Sequence, residues 1–170
     1  MPPVRRLTAI LAADVAGYSR LMGADEEGTH ERLKAHLSEL VNPKIAEHQG
    51  RVVKNTGDGF LLEFPSVVGA IECAIAIQAL MAERNSQLPA DRLMQFRVGV
   101  HMGDVMADED EVFGDGVNIA VRLEAVAAPG GVAALASAIP RCTSTAHRMA
   151  ATTLENSAKK PSPVFFTTRP

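Results

Sequence analysis

The sequence has few cysteines, no long apolar run and no excess of positive charge. Its only cysteines, Cys73 and Cys142, lie far apart and match neither a disulfide framework nor a zinc site. No apolar run approaches a membrane span, and the N-terminal run breaks at Asp14 without a cleavage pattern. The net charge of −3 gives no general attraction to nucleic acid or to an anionic membrane. We therefore expect a cytoplasmic protein that binds neither.

Two carboxylates stand at predicted strand ends beside glycine. An apolar run over residues 7–13 stops at Asp14, and Gly17 follows within three residues. Asp58 lies between two glycines at the tip of a predicted hairpin. An Asp-Gly turn alone is ordinary hairpin chemistry. Because hard divalent cations prefer carboxylate oxygens, two such strand ends together suggest a metal site.

Hydrophobic periodicity predicts a single α/β core in these 170 residues. A long helix with Pro43 inside it should kink or split there. A second, strongly apolar helix should open at Pro65 and Ser66. The predicted elements are a strand at 7–13, a helix at 25–48, a hairpin at 51–55 and 60–64, two strands within 96–107 that meet near Gly103, and a helix that ends at the Pro-Gly-Gly of residues 129–131.

Four stretches carry most of the recognisable pattern, namely AADVAGYSRLM, VVKNTGDGFLLEF, FRVGVHMGDV and EVFGDGVNIAVRLEAVAAPGGV. In this order and spacing they resemble the catalytic domain of bacterial class III nucleotidyl cyclases, over residues 5 to about 132. The resemblance implies an α/β fold with a ferredoxin-like sheet flanked by helices. It also implies a homodimer with two active sites across the interface, which convert ATP to cyclic AMP and pyrophosphate with two Mg²⁺ or Mn²⁺ ions.

The resemblance assigns the first half of the site to the two strand ends. Asp14, Asp58 and the backbone of Val15 would hold the metal ions. Glycines let the backbone approach the triphosphate, and the amides that begin the next helix can bind its terminal phosphates. These phosphate-binding amides run from Val15 to Ser19 and include those of Gly17, Tyr18 and Ser19.

The resemblance assigns base recognition to a lysine and an acid on the other subunit, here Lys54 and Glu111. A lysine only donates, which suits adenine N1, and a carboxylate only accepts, which suits the adenine amino group. Guanine presents a donor where adenine accepts, so Lys54 argues against GTP. Glu111 is one methylene longer than the usual aspartate, so Asp108 and Asp110 remain alternatives. Without the resemblance, a solvated strand lysine and an acidic surface loop explain both residues.

Asn118 and Arg122 lie four residues apart and share one face of a predicted helix. Val117 and Val121 share a neighbouring face that we expect to pack inward. The resemblance implies that Asn118 orients the ribose and that Arg122 contacts the α-phosphate during the reaction. The alternative is a polar helix face on which Arg122 pairs with Glu124 or with solvent.

The segment from residue 132 to 170 has a different composition from the rest of the chain. It has no glycine, a single acidic residue (Glu155) and no clear periodicity. We expect a cyclase domain at 1–131 and an atypical tail at 132–170 that is poorly ordered or foreign to the family, so that the fold is incomplete. Lys159 and Lys160 receive no role. Two function classes follow: an adenylate cyclase, or a weak or inactive cyclase-like module that dimerises and binds nucleotide. A guanylate cyclase is a third option.

Overall fold

The computed structural model describes residues 4–108, 111–135, 150–153 and 163–167. Its strands belong to one eight-stranded sheet with helices on both faces, which confirms the predicted fold class. The strands are β1 (Val4–Val15), β2 (Arg51–Asn55), β3 (Gly59–Phe64), β4 (Phe96–Asp108), β5 (Glu111–Phe113), β6 (Gly131–Leu135), β7 (Ala150–Thr153) and β8 (Pro163–Thr167). The α-helices are α1 (Tyr18–Ala24), α2 (Glu26–His36), α3 (Asn42–Glu47), α4 (Val67–Asn85) and α5 (Asp115–Val126).

The sheet order is β2-β3-β1-β4-β6-β8-β7, and β5 pairs with β4. The described pairs are antiparallel except β4 with β6, which run parallel. Side chains alternate between the faces of a strand, so Leu11 packs in the larger core with α1 to α4, whereas Ile10 packs against α5. Within the described ranges, no helix is long and apolar enough to cross a membrane.

The predicted helix over residues 25–48 is split, as Pro43 suggested. Asp25 caps α2 by accepting a hydrogen bond from the Gly28 amide at 3.0 Å. A π-helical segment, Leu37–Val41, joins α2 to α3, which has the proline in its first turn. Proline has no amide hydrogen to donate to the preceding turn, so a wider turn just before it relieves the conflict.

The predicted break of residues 96–107 into two strands near Gly103 is wrong. β4 is one strand, because its pairing with β1 continues without interruption from Phe96 to Ala107. Gly103 lies opposite Thr8, and a side chain at this position would come within 3.0 Å of the Gly116 Cα. The glycine therefore marks close packing against α5 rather than a turn.

Residues 132–135, which composition placed in the tail, form most of β6 in the sheet. Val132, Ala133 and Ala134 are buried. Their small side chains suit a strand that pairs with another strand on each side. β8 pairs with β6, and β7 pairs with β8. β6 and β7 are short and rich in Ala or Thr, so their sequences carry little strand signal, whereas the Val-Phe-Phe of β8 consists of residue types that favour strands. The division of the chain at residue 131 stays a prediction, and Lys159 and Lys160 lie outside the described residues.

Candidate active site

The two strand-end carboxylates are neighbours in space. Asp14 faces Gly59 across the β1–β3 pair, and the Val15 amide donates a hydrogen bond to the Asp58 carbonyl at 2.9 Å. The adjacency expected from the sequence is therefore present. Their role as metal ligands stays a prediction.

Glycine is required where these strands meet. A Cβ atom on Gly59 would lie 2.1 Å from the Ala13 carbonyl oxygen, which is closer than any real contact. In the preceding turn, Gly57 has a φ of +87° and the Thr56 amide donates to the Gly59 carbonyl at 2.9 Å. These two glycines let the hairpin carry Asp58 up against the end of β1.

An arginine that the sequence did not single out binds Asp14. Arg97 lies directly opposite Asp14 in the β1–β4 register. Its Nε donates to Asp14 Oδ1 at 2.9 Å and its Nη2 to Oδ2 at 2.5 Å, a bidentate ion pair. That contact is the first cause of the raised pKa of Arg97, to which the charges of Glu124 and Asp58 add.

Glu124 is the fourth charged residue of this cluster. Its side chain on α5 is 12% exposed, and Oε1 lies 3.8 Å from Arg97 Nη2. Burial, followed by the hydrogen bond and charge of Asp14, raises the pKa of Glu124 well above its usual range. Burial is the largest cause of this raised pKa, the carboxylates of Asp14 and Asp58 add to it, and the Arg97 guanidinium opposes it.

This cluster fits the divalent ions of the cyclase family. Within the described residues, no three His, Cys, Asp or Glu side chains form a complete metal site. Mg²⁺ commonly takes one or two protein carboxylates and completes its shell with water and substrate phosphates. Asp14 and Asp58 meet that requirement, and the Arg97 guanidinium already occupies the position of a cation on Asp14.

Two of the amides expected to bind phosphate are already occupied. The Val15 amide donates to Asp58, and the Ala16 amide donates to the Gln95 carbonyl at 2.8 Å. We therefore restrict the predicted phosphate-binding amides to those at the start of α1, which have no acceptor within the helix. These are the amides of Gly17, Tyr18 and Ser19, and Gly17 adopts the left-handed conformation with a φ of +66°.

The two candidate base-reading residues are exposed, Lys54 on β2 and Glu111 on β5. Lys54 follows an irregularity in the β2–β3 register, and Glu111 faces Asp108 in the β4–β5 pair. β2 and β5 come close to each other, although they are not paired in the sheet. Asp110, an alternative to Glu111, lies outside the described residues.

Asn118 and Arg122 are exposed on α5, whereas Glu124 on the same helix is buried against the sheet. At 100° per residue, Arg122 and Glu124 project on nearly opposite sides of the helix. Arg122 therefore points away from Asp14, and the alternative pairing of Arg122 with Glu124 is wrong. The inward packing expected of Val121 is also wrong, since it is 45% exposed.

The buried face of α5 is instead formed by smaller residues and Leu123. A Cβ on Gly99 would lie 2.2 Å from the Ala120 carbonyl oxygen and from the Glu124 amide nitrogen. The helix backbone thus rests directly on β4. This close approach brings Glu124 beside Arg97, two residues from Gly99 on the same face of the strand.

Neither of the two best-formed clefts in the described part of the chain is lined by Asp14 or Asp58. The larger, of about 440 Å³, lies at the other end of β4 beside His101 and Asp104. The smaller lies between β2, β3 and the π-helical segment. Asp14 and Asp58 are both half-buried.

Comparison with known proteins identifies the family of the chain. The family model described as "Adenylate and Guanylate cyclase catalytic domain" matches residues 5–159. A Rhizobium meliloti protein named "Putative adenylate cyclase 3" is 57% identical over 129 residues, which are 76% of this chain and 22% of the relative. A Streptomyces coelicolor "Adenylate cyclase" is 31% identical over 124 residues, 73% of this chain and 31% of the relative. This chain therefore spans about a fifth to a third of these relatives.

A solved structure covers almost all of the chain. The crystal structure titled "Adenylate/Guanylate Cyclase/Hydrolase" from Silicibacter pomeroyi is 34% identical, with a TM-score of 0.82. It covers 98% of this chain and 99% of the solved one. The similarity thus extends through the strands that follow residue 131.

Proposed function

Because the chain belongs to the adenylate and guanylate cyclase catalytic-domain family, we propose that it is an adenylate cyclase that converts ATP to cyclic AMP and pyrophosphate. The observation that carries the proposal is the pair Asp14 and Asp58 at adjacent strand ends with a cationic group bound to Asp14. A carboxylate pair of this kind suits a triphosphate that arrives with divalent ions.

One group of residues would hold the metal ions, and another would bind the terminal phosphates. When bound by Asp14, Asp58 and the Val15 carbonyl, Mg²⁺ or Mn²⁺ supplies positive charge that favours loss of the ribose 3′-hydroxyl proton and offsets charge on the phosphates. The amides that begin α1 bind the terminal phosphates, because backbone N–H groups at a helix start attract anions. These three amides are those of Gly17, Tyr18 and Ser19.

The remaining contacts select and orient the nucleoside. Lys54 donates to adenine N1, and Glu111 accepts from the adenine amino group. Asn118 orients the ribose, and Arg122, always charged and planar, stabilises the α-phosphate as its geometry inverts. Transfer of this kind depends on positioning and on neutralising charge, which these residue types supply.

The proposed site needs two copies of the chain. Asn118 and Arg122 are exposed on α5, whereas Glu124, beside Asp14 and Arg97, is buried, and this difference supports supply of Asn118 and Arg122 by a second copy. A symmetric homodimer would close two such sites, each built from the strand ends of one chain and α5 of the other.

The first prediction tests the reaction with purified protein, ATP or GTP, and Mg²⁺ or Mn²⁺. Cyclic AMP should exceed cyclic GMP, and Asp14→Asn or Asp58→Asn should each lower turnover by about 10²-fold or more, because the metal loses a charged ligand. Asp91→Asn, in an exposed turn, is the matched control and should retain full turnover. Product is measured by chromatography.

Other results would assign a different function. Predominant cyclic GMP would make the protein a guanylate cyclase. ATP binding without product would indicate the inactive nucleotide-binding module. Full activity of either carboxylate variant would show that the metal assignment is wrong.

A further inference from the structure

The orientation of the Val15 carbonyl follows from the hydrogen bond of the next residue. The Ala16 amide donates at 2.8 Å to the carbonyl of Gln95, which lies just before β4. Because a trans peptide group is planar, its C=O and N–H groups point in opposite directions. The Val15 carbonyl therefore points away from β4 and toward β3, which lies on the other side of β1 and is preceded by Asp58. This is the backbone oxygen that the proposed function assigns to a divalent ion.

The position of the Gln95 carbonyl is set by α4, through the residues on either side of Gln95. Asn85 Nδ2 donates to the Met94 carbonyl at 2.8 Å, and the Met94 amide donates to Asn85 Oδ1 at 3.3 Å. Gln78 Nε2 donates to the Phe96 carbonyl at 2.8 Å. Gln95 is itself exposed, whereas Met94 and Phe96 are buried. Two side chains of one helix thus fix the backbone before and after Gln95.

Gln78 is an unusual residue for its place in α4. It is 2% exposed, and Nε2 also donates to the Gly131 carbonyl at 2.9 Å, so both amide hydrogens are used. Its Oε1 is buried and has no hydrogen-bond partner among the described residues. A buried oxygen without a partner costs free energy, and an apolar side chain of similar size would avoid that cost. What glutamine adds at this position is a fixed link from α4 to the first residues of β4 and β6.

We propose that Gln78 and Asn85 are positioning residues that hold the Val15 carbonyl in place for a divalent ion. Each acts through the backbone beside Gln95, which the hydrogen bonds of both side chains fix. The inference rests on the proposed function, which assigns the Val15 carbonyl to the metal together with two carboxylates. Loss of either link frees the Gln95 carbonyl, and the peptide group after Val15 can then rotate.

The second prediction concerns Mg²⁺ binding without nucleotide. A triple-resonance nuclear magnetic resonance experiment that links each amide to the preceding carbonyl observes Val15 through the Ala16 amide. In the unmodified chain, Mg²⁺ should shift the signal of this carbonyl carbon and those of the side-chain carboxyl carbons of Asp14 and Asp58. The dependence of these shifts on Mg²⁺ concentration gives the affinity, and their positions identify the ligands.

The two positioning residues are tested by removing their hydrogen bonds. Gln78→Met and Asn85→Ala should each weaken Mg²⁺ binding about tenfold, as is typical when the support of a metal ligand is removed. At saturating Mg²⁺ the shift of the Val15 carbonyl should be smaller than in the unmodified chain, whereas the carboxyl shifts should persist. A purely structural role of the two residues predicts lower stability without this selective loss.

Cys73→Ala is the matched control, because Cys73 is fully buried on the same helix. This variant should lower the stability to urea but leave the Mg²⁺ affinity and the Val15 shift unchanged. If it weakens binding as much as Gln78→Met and Asn85→Ala do, general destabilisation explains the effect and the proposal is wrong.

Three further results separate this inference from the proposed function. If Mg²⁺ shifts all three signals and both variants behave like the unmodified chain, the positioning role is wrong and the metal site stands. If only the two carboxyl signals respond in the unmodified chain, the Val15 carbonyl is not a ligand and the inference alone fails. If none of the signals responds, the metal site is wrong and the inference fails with it.

Discussion

At the residue scale, the position of Asp58 depends on a neighbour that has no side chain. Gly59 lies against the Ala13 carbonyl and opposite Asp14, so β3 approaches β1 more closely than any other residue would permit. The carboxylates are brought together by this contact. We expect an added methyl group at residue 59 to lower the stability of the fold and to move Asp58 away from Asp14.

The third prediction is that Gly59→Ala destabilises the chain by about 1–3 kcal/mol, because an overpacked backbone must move. Mn²⁺ affinity should fall with it, since Asp58 shifts away from Asp14. Urea unfolding and a Mn²⁺ titration measure the two effects. Gly23→Ala is the control, because its added Cβ meets nothing within 4 Å and helix α1 favours alanine. If both variants are equally stable, the packing account of Gly59 is wrong.

Single residues also show how much of the site the sequence could predict. Asp14 and Asp58 could be found from local signals, because Asp14 ends an apolar run and Asp58 lies between two glycines at a hairpin tip. Arg97 could not, since its importance comes from lying opposite Asp14, and the β1–β4 register is set by tertiary pairing. Glu124 was missed because the side of α5 that packs inward depends on Gly99, 25 positions earlier in the chain.

At the element scale, α5 lies unusually close to the sheet. Its backbone meets Gly99 at Ala120 and Glu124, and Gly116 meets Gly103. Glycine on β4 and small residues on α5 therefore replace the usual layer of interlocking side chains. This close packing places Glu124 on the side of α5 that faces the sheet, and Asn118 and Arg122 remain exposed to solvent.

The fourth prediction is that Gly99→Ala lifts α5 from β4. The added Cβ would lie 2.2 Å from two backbone atoms of the helix, so we expect a loss of about 1–3 kcal/mol in the free energy of unfolding. Amide hydrogen exchange should accelerate in α5 and remain unchanged in α4 on the opposite face. Uniform acceleration in both helices would mean that global unfolding, rather than release of α5, carries the effect.

Elements were predicted best where a local signal sets them. Pro43 predicted that the long helix would be split. Ser66 caps α4 by accepting a hydrogen bond from the Gly69 amide at 3.0 Å. Gly103 was misread as a turn because glycine at a close helix contact and glycine at a chain reversal have the same sequence signature. β6 was missed because its burial comes from pairing with β4 and β8, not from its own pattern.

At the scale of the whole molecule, the proposed site draws its two groups of candidate residues from two copies of the chain. Asp14, Asp58 and Arg97 lie at or beside strand ends, and Asn118 and Arg122 are exposed on α5. Two copies related by a twofold axis can supply one group each to both sites. Variants that damage different groups should therefore complement each other.

The fifth prediction tests this with mixtures of inactive chains. Asp14→Asn and Arg122→Ala each spoil both sites of their own homodimer, but a mixed dimer has one site with both defects and one with none. Random assortment of equal amounts makes half of the dimers mixed, so activity should recover to about a quarter of the unmodified level. The control mixes Asp14→Asn with Asp58→Asn, which lie in the same half-site, so that every site keeps a defect and no activity should return. Two different affinity tags verify that mixed dimers form. If they form and the first mixture remains inactive, all four residues act within one chain and the two-chain site is wrong.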